Sequence, residues 1–199
     1  MLVIERMTAQ PVIVTGDMTV RSALETIQVR QVHHLPVVDN DDNLVGIVAE
    51  KDLLRARDDD LLQDIMTRDV VTVTEYTALE EAARIMADNK ITCLPVLRGN
   101  DVVGIITETD LFRLFLELFG ARQKGVRLSA EVSSEPGTLA KISEAIFELG
   151  GDIIAIGSFA GDAVSSNEIT MKVQGVDENQ LKEAIQPLII RLTSICTMC

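Results

Sequence analysis

The chain carries one pattern twice, and this duplication constrains its fold more than any other feature. Met7–Asp41 aligns with Met66–Asn100 at an offset of 59, and beyond an unmatched Asp42 the offset falls to 58. Of 47 paired positions, 15 are identical. The identities gather at particular places: Met7-Thr8 with Met66-Thr67, Leu35-Pro36-Val37 with Leu94-Pro95-Val96, Val45-Gly46-Ile47 with Val103-Gly104-Ile105, and Asp52-Leu53 with Asp110-Leu111. Interchangeable apolar positions do not account for a shared Gly-to-Asp spacing, whereas duplication does. A unit of about 60 residues is too small to bury both faces of a sheet alone, so the two copies are expected to pack together.

Each copy predicts the same elements. A short β-rich run (VIVT, VVTV) precedes a helical stretch with Ala23, Ile27 and Arg30, or Ala82, Ile85, Met86 and Asn89, at three-to-four spacing. A strand follows (HHLPVVD, TCLPVLR), then a turn rich in Asp, Asn and Gly, then a second strand (LVGIVA, VVGIIT). Asp52 and Asp110 each stand where a helix N-cap is expected. The order is β-α-β-β-α, with the copies assigned to residues 1–61 and 62–122.

After Gly120 the pattern changes, and 125–199 forms a third segment. VRLSAEV (126–132) alternates as a strand, and Glu135-Pro136-Gly137-Thr138-Leu139 turns into a helix ending at Leu149-Gly150-Gly151. Strands are expected over Asp152–Phe159 and Glu168–Val173, a helix over Asp177–Leu188 with Asp177 as N-cap, and a closing strand in IIRLTSICTMC. This is β-α-β-β-α-β, the ferredoxin-like arrangement.

Composition narrows the partners. Apolar residues make up 47% and charged residues 25%, an ordinary globular balance. The net charge is −13, with both residues 1–124 (−8) and residues 125–199 (−5) acidic. No basic block exists to neutralise phosphates, so nucleic-acid binding and attraction to anionic membranes are not expected. A small anionic ligand fits, because backbone N–H groups at helix starts hold phosphate without a net positive chain. No stretch reaches the ~18 apolar residues of a membrane span. The opening MLVIERMTAQP breaks any secretory apolar run with a charge pair, so a cytoplasmic location is the expectation.

The strings G-I-V-A-E-K-D at 46–52 and G-I-I-T-E-T-D at 104–110, each with its L-P-V strand, resemble CBS domains, whose tandem pair forms a Bateman module. This resemblance covers residues 1–120. The E-P-G-x-L turn and Gly150-Gly151-Asp152-Ile153 resemble an ACT domain over 125–199. Two CBS repeats followed by one ACT domain resemble the acetoin-utilisation (AcuB-like) CBS–ACT proteins. The implied fold is mixed α+β and α/β: a CBS pair plus a C-terminal ferredoxin-like ACT domain. The implied function is non-catalytic regulation, with no catalytic cofactor. The CBS pair would sense AMP, ADP, ATP or a related adenosine compound, and the ACT domain would dimerise and hold a small metabolite or amino acid. A role in acetoin utilisation is implied as well. The alternatives are an interaction module with empty clefts, or a regulatory subunit of a metabolic enzyme.

The residues at each strand-to-helix junction suit this chemistry. A strand ending in Thr107 and leading to a helix at Asp110 brings a hydroxyl, backbone N–H groups and a carboxylate to one crevice. Phosphate suits the hydroxyl and the N–H groups, and the carboxylate suits two ribose hydroxyls. The other reading is that Asp110 only caps its helix. Thr109 and Lys51 precede the two aspartates, and Lys51 can pair a phosphate as a point charge. The resemblance implies that the base packs against the opposite repeat: Val32 and His33 for Asp110, and Ile91 and Thr92 for Asp52. In the first repeat Ala49 stands in place of Thr107 and Glu50 adds a carboxylate, which makes the Thr107/Asp110 cleft the first choice.

In the ACT-like segment the resemblance implies a ligand loop at Glu135, Pro136 and Gly137, with Asp152 and Ile153 after the helix. Glu135 and Asp152 together suit an ammonium group and repel a carboxylate. His33 and His34, adjacent on a strand, point to opposite faces and do not share a metal; His33 either packs or stacks on a base. Asp58-Asp59-Asp60 reads as a solvated linker rather than a cation site. Phe112, Phe115 and Phe119 form a stripe suited to a core or a dimer seam, so a homodimer is expected. Cys196 and Cys199 share a CxxC spacing without a second pair and read as fillers in the last strand. No Ser/His/Asp or Cys/His constellation is present for nucleophilic catalysis.

Overall fold

The computed structural model describes residues 1–161 and 164–198, so the expectation for Cys199 lies outside the described residues. Two compact units result, Met1–Phe112 and Arg113–Cys199. The division falls inside a helix, before the end of the second sequence repeat at 122.

In the first unit the elements are β1 (Thr8–Ala9), β2 (Val14–Thr15), α1 (Val20–Arg30), β3 (His34–Val38), β4 (Leu44–Ala49), α2 (Glu50–Leu53) and α3 (Leu62–Ile65). Then follow β5 (Val73–Thr74), α4 (Leu79–Asn89), β6 (Cys93–Arg98), β7 (Asp101–Thr107) and α5 (Glu108–Leu118), which runs on into the second unit. Each repeat supplies the expected β-α-β-β-α. The helical periodicity buries Ala23 and Ile27 on α1, and Leu79, Ala82 and Met86 on α4. Both helices end in a left-handed residue, Gln31 and Lys90, at matching positions of the repeat.

The repeats exchange their leading segments. β1, at the start of the first repeat, pairs antiparallel with β7 of the second, Thr8 opposite Ile105 and Ala9 opposite Gly104. Val3 N–H donates to the Thr77 carbonyl and Ile4 N–H to the Glu75 carbonyl. Reciprocally, Thr67 and Ile47 exchange both backbone hydrogen bonds, each 3.0 Å long, and Leu62 is buried in the first repeat's core with Leu35, Val48 and Leu53. The sheets are therefore β1-β7-β6-β5 and β2-β3-β4.

The second unit contains the last part of α5, then β8 (Gly125–Ser133), α6 (Thr138–Glu148), β9 (Asp152–Ala160), β10 (Ser166–Gln174), α7 (Glu178–Ile185) and β11 (Arg191–Met198). The sheet order is β11-β8-β10-β9, with every neighbouring pair antiparallel. One core joins Ile142 and Ile146 of α6 and Leu181 and Ile185 of α7 to Val126, Leu128, Ala130, Ile169, Met171 and Val173 of the sheet. Asp177 caps α7 as expected, accepting from Asn179 N–H and Gln180 N–H.

Candidate functional site

Each β4–α2 and β7–α5 junction turns a strand straight into a helix. Glu50 N–H donates to the His33 carbonyl and Glu108 N–H to the Thr92 carbonyl, both at 2.9 Å, so the two corners have one construction. The helices begin at Glu50 and Glu108, which corrects the expected caps. Asp52 and Asp110 are third residues of their helices, and the caps are Ala49 and Thr107. At the second corner Thr107 N–H and Oγ1–H donate to Asp110 Oδ2 at 3.0 and 2.6 Å, while Asp110 N–H reaches Thr107 Oγ1 at 3.4 Å. This reciprocal pair is a capping box. Ala49 provides no hydroxyl, so Asp52 is not clamped in this way, and α2 ends after a single turn.

At the first corner a cavity of about 140 Å³ opens between the repeats. Lys51 and Asp52 line it from the first, and Lys90, Ile91 and Thr92 from the second. His34 joins the walls, its Nε2 lying 3.0 Å from Thr92 Oγ1. Burial, then the nearby charges of His33 and Lys51, lower the His34 pKa from its ordinary value. Cys93, also in the wall, has its thiol pushed up to about 12, chiefly by burial.

The expected grouping of Asp52 with Ile91 and Thr92 is thus present in one cavity. Of Val32 and His33, expected opposite Asp110, Val32 packs on the first repeat's core and His33 Nδ1 lies 2.7 Å from Glu50 Oε2. Thr109 lies in the first turn of α5. Lys90, Thr67 and Asp69, which also line the cavity, were not picked out from sequence. For Thr67 and Asp69 the signal is the repeated Met-Thr pair, because it marks the crossing segment that carries Thr67 and leads to Asp69.

In the second unit the loop at Glu135–Gly137 lines its own cavity of about 350 Å³, and Gly137 caps α6 with a φ of 89°. Asp152 and Ile153 are not beside it. They begin β9 opposite Gln174 and Val173, whereas the loop follows Ser133, opposite Ser166. Eight strand residues separate the two ends, roughly 26 Å. The expected five-residue site does not form within one chain: Ile153 packs on the core and Asp152 is exposed. The Asp58–Asp60 run anchors α1, with Asp58 Oδ2 3.0 Å from Arg21 Nη2 and the Asp60 carbonyl accepting from Val20 N–H. Among the described residues no group of three or more His, Cys, Asp or Glu is placed to hold a metal ion. Among the described residues no helix is long and apolar enough to cross a membrane.

The CBS domain family matches residues 3–59 and 62–117, more than half of the chain. Inosine-5′-monophosphate dehydrogenase of Methanocaldococcus jannaschii is 34% identical over 145 residues, covering 72% of this chain and 29% of that enzyme. The chain therefore spans less than a third of that relative's length. The crystal structure of the CBS domain pair of protein MJ0100, in complex with 5′-methylthioadenosine and S-adenosyl-L-methionine, is 29% identical with a TM-score of 0.57. That match covers 62% of this chain and 98% of the other. A Vibrio cholerae protein named AcuB, for acetoin utilisation, is 31% identical with a TM-score of 0.56, covering 62% of this chain and 96% of its own. The chain belongs to the CBS domain family, two copies of which stand in tandem.

Proposed function

We propose that this chain is a non-catalytic regulatory protein whose CBS pair senses an adenosine compound and whose second unit is an ACT domain that holds two copies together. The observation that carries the reading is the cavity shared by the repeats, with Asp52 and Lys51 facing Ile91 and Thr92. A carboxylate accepts from the two ribose hydroxyls, an apolar Ile91 wall covers a flat base, and Lys51 and Lys90 attract phosphate at the rim. CBS pair modules are regulatory, and the related MJ0100 pair holds two adenosine compounds. The Thr107/Asp110 corner is the second cleft. Its hydroxyl and helix start suit a phosphorylated ligand such as AMP, ADP or ATP.

The β-α-β-β-α-β order and the left-handed Gly137 turn support the ACT reading. Because Glu135 and Asp152 lie at opposite ends of one sheet, a metabolite that touches both has to bridge two chains. The likeness to AcuB supports a role in acetoin utilisation. The capping box at Thr107 favours one other reading, an interaction module with empty clefts, since there the polar groups satisfy each other without a ligand.

The test is a melting series of the full chain with AMP, ADP, ATP, 5′-methylthioadenosine and S-adenosyl-L-methionine. A ligand of the native state raises the melting temperature as RT ln(1 + [L]/Kd). A rise with at least one of the five supports sensing, and no rise with any at millimolar concentration favours the empty-cleft module.

A further inference from the structure

We infer that the second unit holds a separate site for a small organic anion with an apolar body, on the sheet face away from α6 and α7. A cavity of about 510 Å³ lies there, walled by Phe115, Phe119 and Phe159 and floored by Arg127, Thr170 and Lys172. Phe119 stacks on Phe159 with ring centroids 6.4 Å apart and meets Phe115 at 4.7 Å. Gly157 permits this approach, since a Cβ there would come within 2.8 Å of Phe119 Cε1.

The charges in this cavity point to the ligand. Lys172 is 3% exposed and its Nζ donates to one carbonyl, Gly120 O, at 2.9 Å. Arg127, paired opposite Lys172 in the sheet, donates from Nη1 to Ser194 Oγ at 3.2 Å. Among the described residues neither cation has a carboxylate partner, and no acidic side chain lines the cavity. Further along this face Glu131 Oε2 lies 3.3 Å from Arg191 Nε. Burying a cation without an anion is costly, and the cost falls when an anion enters. Arg127 presents a planar fork that fits a carboxylate, and the three rings suit a flat or branched apolar body. The ligand class is therefore a hydrophobic carboxylate, and its site is distinct from the Glu135–Gly137 loop.

The experiment is isothermal titration of the full chain with phenylacetate, with its neutral isostere phenylacetamide, and with acetate. Phenylacetate should bind about tenfold or more tightly than either. Lys172→Met should cost phenylacetate about tenfold in affinity while leaving the ligand-free melting temperature unchanged or higher, because it removes a buried charge of similar volume. Arg127→Gln should weaken phenylacetate in the same direction. Equal affinity for phenylacetate and phenylacetamide, no binding of phenylacetate at about 10 mM, or full binding by Lys172→Met would overturn the inference.

Discussion

Met66 lies across the backbone of Gly46, on a strand of the other repeat, so closely that a Cβ on Gly46 would come within 2.7 Å of Met66 Cγ. Met7 lies over Gly104 in the same way. The Met-Thr and Gly identities of the duplicated sequence are therefore the two halves of one contact, made twice across the repeat boundary.

Gly46→Ala should destabilise the chain by about 1–3 kcal/mol, the usual cost of forcing atoms into a filled space. Met66→Ala alone leaves a gap and also destabilises. The double variant should cost less than the two single changes together, because the new methyl occupies space vacated by the sulfur chain. Chemical denaturation of the four proteins measures the coupling, and strict additivity would remove the lock. Gly104→Ala should cost less, since Met7 Cγ would stand 3.1 Å from the new Cβ, against 2.7 Å for Met66 Cγ at Gly46.

These contacts show where sequence reading stops. Helices and strands were legible because each has its own period: Ala82 and Met86 mark a face of α4, and VRLSAEV alternates along β8. The crossing of Met1–Ala9 into the other repeat was not, because a two-residue strand has no period and a contiguous alignment hides an exchange. The Thr107-x-x-Asp110 spacing is visible in the sequence, but Thr107 rather than Asp110 fills the cap. The family resemblance groups Asp52 with Ile91 and Thr92, and the cavity contains all three. It also groups Glu135 with Asp152, but the sheet separates them because β8 and β9 run in the same direction, each antiparallel to β10.

The two aspartates should behave differently when removed. Asp110→Ala breaks a capping box and should cost about 1 kcal/mol of ligand-free stability, whereas Asp52→Ala should cost little. With AMP, which carries a phosphate for Thr107, Asp110→Ala should lose more of the thermal shift than Asp52→Ala. With 5′-methylthioadenosine, which lacks a phosphate, Asp52→Ala should lose at least as much. Each shift is read against the variant's own ligand-free melt, and identical losses for both ligands would exclude the asymmetry.

Acid should weaken the chain in two steps. Burial holds the His34 pKa below its ordinary 6.5, so the unfolded chain binds the extra proton first. The stability from neutral His34 is complete above 6.5 and is lost as pH falls through the lower folded value. Hydrogen bonds from Arg98 hold Glu75 below its ordinary 4.5, with Oε2 2.7 Å from Arg98 Nη2. Its contribution is complete above 4.5 and is lost further down. Melting temperature against pH should fall in both windows; His34→Gln should flatten the upper one and Glu75→Gln the lower.

Assembly gives the last prediction. Phe112 and Leu118 of α5 are 62% and 54% exposed, apolar area of the kind expected at a seam. A ferredoxin-like unit with its edge strands β9 and β11 unpaired in the single chain offers a second surface. If both contacts share one two-fold axis the assembly closes as a dimer, while two different axes would build tetramers or open chains. The shared axis is the case that closes, so the full chain should be a homodimer. Light scattering at micromolar concentration should give twice the 21.8 kDa chain mass, and Phe112→Ser with Leu118→Ser should shift the equilibrium towards monomer without unfolding the chain. A monomeric wild-type chain would exclude the dimer and, with it, any metabolite site that needs Glu135 of one copy and Asp152 of the other.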